Sequence, residues 1–104
     1  MKALFHTTGE NYRKLKEIFL ADEEINRASI SSKEATQFGF DSGYVILVEG
    51  DEKRTNKAIE IAIKEEENKK PYAKEIKGEK KEEILKQIKS EEDKAIEGFG
   101  GIFG

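Results

Sequence analysis

Tyr44-Val45-Ile46-Leu47-Val48 is the stretch of sequence that decides the fold. Its side chains are aromatic, β-branched or aliphatic, and they lack the alternation of apolar and polar residues seen in half-exposed strands. Such a run is typical of a strand that is covered on both faces. Because successive side chains of a strand point to opposite faces, we expect Val45 and Leu47 on one face and Ile46 on the other. Each face of the sheet then needs its own apolar cover.

Two strand-like segments and a helix precede this central strand. Residues 2–7 have the pattern of a short strand, and residues 10–20 carry apolar side chains at helical spacing. The Thr8 side chain is expected to accept a hydrogen bond from the first turn of that helix. Residues 25–32 have a weak, edge-like strand pattern, and residues 33–43 are expected to form a loop.

A second helix, a short strand and a third helix follow the central strand. Asp51 is the expected N-cap of the second helix, whose apolar stripe ends before the three glutamates at residues 65–67. Pro71 interrupts the pattern, and residues 72–76 are a marginal strand. Residues 79–97 have the apolar stripe of a third helix.

This order of elements predicts an α+β sandwich with the ferredoxin-like βαββαβ topology and the sheet order 4-1-3-2. Residues 1–78 would form this core, residues 79–97 a charged helix packed on or beside it, and residues 98–104 an apolar, glycine-rich tail. Two helices cover only one face of such a sheet. The third helix is therefore expected to cover the other face, and a homodimer through that face is the alternative.

The composition excludes several classes of protein. Charged residues make up 39 % of the chain, the net charge is −3, and cysteine and tryptophan are absent. Abundant Lys and Glu are typical of proteins from hyperthermophiles, and the absence of cysteine fits the cytoplasm. The acidic balance argues against nonspecific binding of nucleic acids. The longest apolar run, residues 44–48, is too short to span a membrane.

The sequence contains no motif for catalysis, metal binding or a cofactor. His6 is the sole histidine, and no carboxylates stand at a local spacing that would complete a metal site with it. Acylphosphatase-like enzymes share the order of elements, but they need an arginine in the loop after the first strand and an asparagine on the third strand. Here Glu10 lies in that loop, Arg13 falls within the helix, and residues 44–48 contain no asparagine. The chain is therefore expected to be non-enzymatic.

The loop after the first strand contains the small polar residues Thr7, Thr8, Gly9 and Asn11. The order of elements resembles that of the ACT-like ligand-binding domains, which hold a metabolite near this loop and near a dimer interface. The resemblance implies an amino-acid-sized ligand at these four residues. The alternative is that Thr8 and Asn11 only cap the helix and that Gly9 forms the turn.

Residues 42–48 and 58–59 also resemble the third strand and second helix of the RNA-recognition motif. Proteins of that family stack bases on exposed aromatic residues of their first and third strands. In this chain the third strand offers Tyr44 alone, and the first strand offers Phe5 or His6. RNA binding is therefore an alternative function.

Residues 97–104, Glu-Gly-Phe-Gly-Gly-Ile-Phe-Gly, place three large apolar side chains among four glycines. Phe99, Ile102 and Phe103 have the spacing of a helix that docks in a groove. The segment resembles the C-terminus of the archaeal ribosomal stalk protein, which docks on translation GTPases and on the ribosome-recycling ATPase. This resemblance implies a protein partner of the translation machinery. A tail that folds back on its own domain is the alternative.

Taken as a whole, the chain resembles small archaeal proteins with a ferredoxin-like fold. The sequence favours a non-enzymatic binding or regulatory module that engages a protein partner through Phe99, Ile102 and Phe103. A ligand-sensing domain that uses residues 7–11 is the second hypothesis, and an RNA-binding domain is the third.

Overall fold

A computed structural model describes residues 1–65 and 70–103, with side chains described as far as Glu91. The described chain is an α+β structure with a four-stranded antiparallel sheet and three α-helices, which confirms the predicted class. The strands are β1 (Lys2–Thr7), β2 (Ser29–Glu34), β3 (Tyr44–Glu49) and β4 (Lys74–Ile76). The helices are α1 (Gly9–Ala21), α2 (Glu52–Ile63) and α3 (Gly78–Phe103), and short 3-10 turns cover Ile25–Arg27 and Ala35–Phe38.

The strands lie in the order β2-β3-β1-β4, so the two most apolar strands, β1 and β3, are at the centre as expected. All three neighbouring pairs are antiparallel. Phe5 lies opposite Ile46 in the central pair, and Ser31 lies opposite Leu47 in the outer pair. Both edge strands are more polar than the central ones, and β4 is also short, with three residues against six in β2.

The first face of the sheet is covered by α1 and α2. Phe5 and Ile46 of the central strands pack against Leu15 and Phe19 of α1 and Ala58 of α2. These five side chains are 0–1 % exposed. Full burial of a large apolar side chain contributes about 1.5–3 kcal/mol, so this layer accounts for much of the stability of the fold.

The second face of the sheet is covered by α3. Ile84 and Ile88 pack on Leu4, Val45 and Leu47, which point away from the first layer. The prediction that the residues of the central run alternate between two apolar layers is confirmed. The third helix occupies the face for which a homodimer was the alternative.

Two element boundaries differ from those expected along the second strand. Residues 25–32 were predicted to be a strand, but Ile25–Arg27 is a 3-10 turn and β2 begins only at Ser29. Asp22 explains the difference, because its Oδ1 accepts hydrogen bonds from the N–H groups of Glu24 and Ile25 at 2.9 and 3.0 Å. These bonds hold a turn that buries Ile25 completely.

Residues 33–43 are also not a continuous loop. β2 continues to Glu34, and the turn Ala35–Phe38 follows before Gly39 reverses the chain with φ of 89°. The turn places Phe38 in the second apolar layer. Burial of this side chain therefore stabilises a segment whose sequence is mostly polar.

The last strand and the last helix have different lengths from those expected. β4 contains three residues instead of five, because the Ala73 N–H donates to the Ala62 C=O of α2 at 3.1 Å and not to the sheet. The helical backbone of α3 begins at Gly78 and continues to Phe103. Residues 98–103, which the sequence predicts as a separate tail, continue the helical backbone of α3. They differ from residues 79–97 in composition and not in backbone conformation.

Candidate functional site

A cleft of about 510 Å³ lies where β1 ends, α1 begins and the chain approaches β4. Three of the four predicted ligand-binding residues, Thr7, Thr8 and Asn11, line it. The fourth, Gly9, instead lines a separate groove beside Tyr44. The topology adds charged residues that no local motif marked, and those in the cleft wall are Glu65, Lys70 and Lys74.

Thr8 is the N-cap of α1, as predicted. Its Oγ1 accepts a hydrogen bond from the Asn11 N–H at 3.2 Å, and its C=O accepts one from the Tyr12 N–H at 2.8 Å. The cap therefore uses the backbone N–H of Asn11 and does not involve its side chain. Within residues 1–65 and 70–91 the Asn11 side-chain amide makes no hydrogen bond, so it can donate to or accept from a ligand in the cleft.

Thr7 lines the cleft with a side chain that is already hydrogen-bonded within the protein. Its side chain is buried, and Oγ1 donates to the Tyr72 C=O at 2.6 Å. This bond connects the end of β1 to the segment before β4. Together with the bond from Ala73 to Ala62, it holds the floor of the cleft in place.

The charges around the cleft favour a small anion. Two lysines, Lys70 and Lys74, line the cleft, and the N-terminus of α1 adds a partial positive charge. Glu65 contributes one carboxylate on the side of α2. This set matches a molecule with a carboxylate or phosphate at one end, and Glu65 can pair with an ammonium group at the other.

His6 borders the same cleft but is engaged elsewhere. Its ring stacks on Phe40, with centroids 4.2 Å apart and planes 10° apart. Nε2 donates to the Ser42 C=O at 2.9 Å, which places a proton on that nitrogen. In the part of the chain that the structure describes, no three His, Asp or Glu side chains are grouped so that they could hold a metal ion.

The aromatic residues considered for RNA stacking do not form an open platform. Phe5 is buried under α1, and Tyr44 stacks on Tyr12 with centroids 4.3 Å apart. The hydrogen bond between the Tyr12 and Ser32 hydroxyls, at 2.7 Å, lowers the pKa of Tyr12 below its usual value, and Lys16 acts in the same direction against the effect of burial. On the opposite face, α3 covers Leu4, Val45 and Leu47 of the central strands.

The predicted partner-binding residues Phe99, Ile102 and Phe103 have side chains outside the described residues. The last described side-chain contact of α3 is an ion pair in which Glu91 Oε2 lies 2.7 Å from Lys33 Nζ on β2. α3 therefore crosses from β4, which precedes it, to the opposite edge strand by this residue.

Comparison of the chain with protein-family models, with curated proteins and with solved structures gives no match. In the described part of the chain, no helix has the length and apolarity that crossing a membrane requires.

Proposed function

We propose that this protein is a non-enzymatic binding module that holds a small anionic metabolite of amino-acid size in the cleft of Thr8, Asn11, Lys70 and Lys74. The observation that carries this proposal is that Asn11, whose side-chain amide makes no hydrogen bond within residues 1–65 and 70–91, lines one cleft together with two lysines. We also propose a ferredoxin-like fold, supported by the strand order β2-β3-β1-β4 and by two helices on one face.

The ligand class follows from the charges in the cleft. A carboxylate or phosphate would pair with Lys70 or Lys74, and an amide such as that of Asn11 would fix its orientation. Hydrogen bonds to charged groups contribute about 1.5–3 kcal/mol each. With Glu65 on the α2 side, an α-amino acid satisfies both signs of charge, whereas an inorganic anion would use the lysines alone.

Binding is favoured over catalysis because the hydroxyl groups of the cleft are already engaged. The Thr7 hydroxyl donates to Tyr72, and the Thr8 oxygen accepts from Asn11. A nucleophilic hydroxyl would need to donate its proton to an adjacent base within hydrogen-bond reach. Among the described residues, neither threonine hydroxyl donates to such a base.

A titration monitored by amide NMR tests the proposal. Amino acids, dicarboxylates and nucleoside phosphates are added in turn to the full chain, and amides of residues 8–11 and 70–74 are expected to shift with the anionic ligand that fits. Lys74→Ala should weaken its binding about tenfold, which corresponds to 1.4 kcal/mol. Lys14→Ala removes an equal charge from α1 outside the cleft and should leave affinity unchanged. A panel without shifts would leave Thr8 and Asn11 with a capping role only.

We propose a second function for the C-terminal segment, namely docking of Phe99, Ile102 and Phe103 on a protein partner. The supporting observation is that α3 already reaches the edge strand at Glu91, while its backbone continues to Phe103, about 18 Å further. Ile84 and Ile88 cover the sheet before that point. We propose that the later apolar residues serve another role.

The resemblance of this segment to the archaeal stalk C-terminus supports a partner among translation GTPases or the ribosome-recycling ATPase, in the cytoplasm of a thermophilic archaeon. A purified archaeal translation GTPase should bind the full chain in a calorimetric titration. Replacement of Phe99, Ile102 and Phe103 together by serine should abolish that binding. If neither a translation GTPase nor the recycling ATPase binds the unmodified chain, this class of partner is excluded.

A further inference from the structure

The outer edge of β2 presents peptide groups whose direction follows from the strand register. The Ala35 N–H donates to the Gly43 C=O at 3.0 Å, and this pair continues the β2–β3 register by one residue. Peptide groups alternate in direction along an antiparallel strand. The odd-numbered residues of β2 therefore bond to β3, and the peptide groups of Ile30, Ser32 and Glu34 point outward.

Apart from the exposed charge of Glu34 at its end, this edge lacks the features that usually protect an edge strand. Proline, a bulge or an unbalanced charge normally blocks the approach of another strand. β2 contains no proline, and each of its residues has a partner in β3 without a bulge. The charge of Lys33 is balanced by Glu91 on the α3 side. Ser31 and Ser32 are small and exposed, so another strand can approach closely.

The helices on both faces of the sheet make described side-chain contacts with β2. The Tyr12 hydroxyl of α1 reaches Ser32 on one face, and Glu91 of α3 reaches Lys33 on the other. Each of these contacts involves a side chain of β2 and does not use the outward N–H and C=O groups of the strand. Among residues 1–65 and 70–103, no strand pairs with this edge.

We propose that β2 pairs with β2 of a second copy of this chain, antiparallel about a two-fold axis at Ser32, so that two four-stranded sheets become one. The inference is independent of the cleft and of the C-terminal segment. In an antiparallel pair, two residues exchange hydrogen bonds only when the N–H and C=O groups of both are directed toward the other strand. A two-fold axis can therefore pass through a hydrogen-bonded pair, formed by Ile30, Ser32 or Glu34, or through a non-hydrogen-bonded pair, formed by Ser31 or Lys33. An axis at Lys33 would place two ammonium groups opposite each other.

Ser32 is the position of the axis that makes β2 complementary to itself. Ser32 then faces Ser32 of the second copy, and Ile30 faces Glu34, which gives about six backbone hydrogen bonds, against about four for an axis at Ser31. Lys33 faces Ser31, so no like charges stand opposite each other. An axis at Glu34 would bring two carboxylates together, and an axis at Ile30 would place Glu34 against residue 26, which lies in a 3-10 turn.

A pair of single-cysteine variants tests this register, because the chain has no cysteine of its own. In the proposed dimer, the two Ser32 Cα atoms are about 5.5 Å apart, within the range of a disulfide. Oxidation of Ser32→Cys should therefore produce a covalent dimer on a non-reducing gel. Ser29→Cys is the matched control, since its two copies would be about 20 Å apart and should remain uncrosslinked.

Sedimentation equilibrium of the unmodified full chain should show a dimer at micromolar concentration. Ser32→Pro should give a folded monomer, because it removes an outward N–H and leaves the ladder to β3 intact. Circular dichroism would verify that this variant folds. A monomeric unmodified chain would overturn the proposal. A monomer whose β2 edge pairs with a strand of another protein would overturn it too. Crosslinking of Ser29→Cys at the rate of Ser32→Cys would overturn it as well.

Discussion

The ammonium group of Lys33 and the carboxylate of Glu91 lie 2.7 Å apart and join the edge strand β2 to the helix that covers the second face of the sheet. Both side chains remain about a third exposed, at 32 % and 40 %. Ion pairs in such surroundings are screened by water and contribute about 0.2–1 kcal/mol. The pair therefore fixes where α3 crosses the edge, while the apolar contacts of Ile84 and Ile88 supply most of the free energy.

The first prediction separates these two contributions. Glu91→Gln should reduce the free energy of unfolding by less than about 1 kcal/mol, because it removes only a partly exposed ion pair. Ile88→Ala on the same helix should cost about 2–5 kcal/mol, because it leaves a cavity against the sheet. Urea denaturation of both variants measures the difference. Equal losses would mean that charge, and not burial, holds α3 in place.

A second prediction concerns the central strand. Leu47 is 8 % exposed and packs in the second layer, so Leu47→Ala should destabilise the fold by about 2–5 kcal/mol. Leu20→Ala is the matched control, since Leu20 is 53 % exposed on α1 and should change stability by less than about 0.5 kcal/mol. A loss below about 1 kcal/mol for Leu47→Ala in chemical denaturation would contradict the two-layer core.

Gly43 and Gly78 provide a third prediction because both have positive φ but different surroundings. A Cβ atom at Gly43 would collide with the Thr7 carbonyl oxygen, whereas one at Gly78 would meet no atom within 4 Å. Gly78→Ala should therefore cost only the backbone strain, about 1–2 kcal/mol. Gly43→Ala should cost clearly more, since β1 and β3 would have to separate. Thermal melts that rank the two variants equally would contradict the close approach of these strands.

The central part of the fold could be predicted from local patterns. The run from Tyr44 to Val48 indicated a strand buried on both faces, and the apolar stripe that includes Ile84 and Ile88 supplied the element that covers the second face. These signals are strong because strand and helix periodicities differ and because each apolar stripe needs a partner. The β2 boundary was wrong because the bonds of Asp22 to the turn at Ile25 compete with strand formation.

Only the part of the candidate site that lies at the start of α1 could be predicted from the sequence. Thr7, Thr8 and Asn11 are adjacent in the sequence, so their small polar character was visible before the structure. Lys70 and Lys74 reach the same cleft only because β4 pairs beside β1, and this is a long-range consequence of the fold. No pattern in residues 70–74 distinguishes these lysines from solvent-exposed ones.

The fourth prediction concerns acid stability. The hydrogen bond from the Ile25 N–H, followed by the bond to Lys57, lowers the pKa of Asp22 below its usual value. A lowered pKa means that Asp22 stabilises the fold above its unfolded pKa of about 3.9, and that this contribution is lost as pH falls through the folded pKa. Asp22→Asn keeps an oxygen acceptor for the turn but removes the charge. Its stability should therefore fall less steeply below pH 4 than that of the unmodified chain, in urea denaturation at a series of pH values. Parallel profiles for the two proteins would exclude this role for Asp22.

The last prediction distinguishes docking of the C-terminal segment from packing within the domain. If Phe103 binds a translation GTPase, Phe103→Ala should weaken the complex at least about tenfold, because a buried aromatic side chain contributes about 1.5–3 kcal/mol and 1.4 kcal/mol is a decade in affinity. The melting temperature should remain unchanged. Ile88→Ala is the control on the same helix and should do the opposite, with a lower melting temperature and an unaltered affinity at temperatures where it is folded. Calorimetric titrations and thermal melts of the two variants measure both quantities. A Phe103→Ala protein that melts lower but binds its partner as before would show that this side chain packs on its own domain.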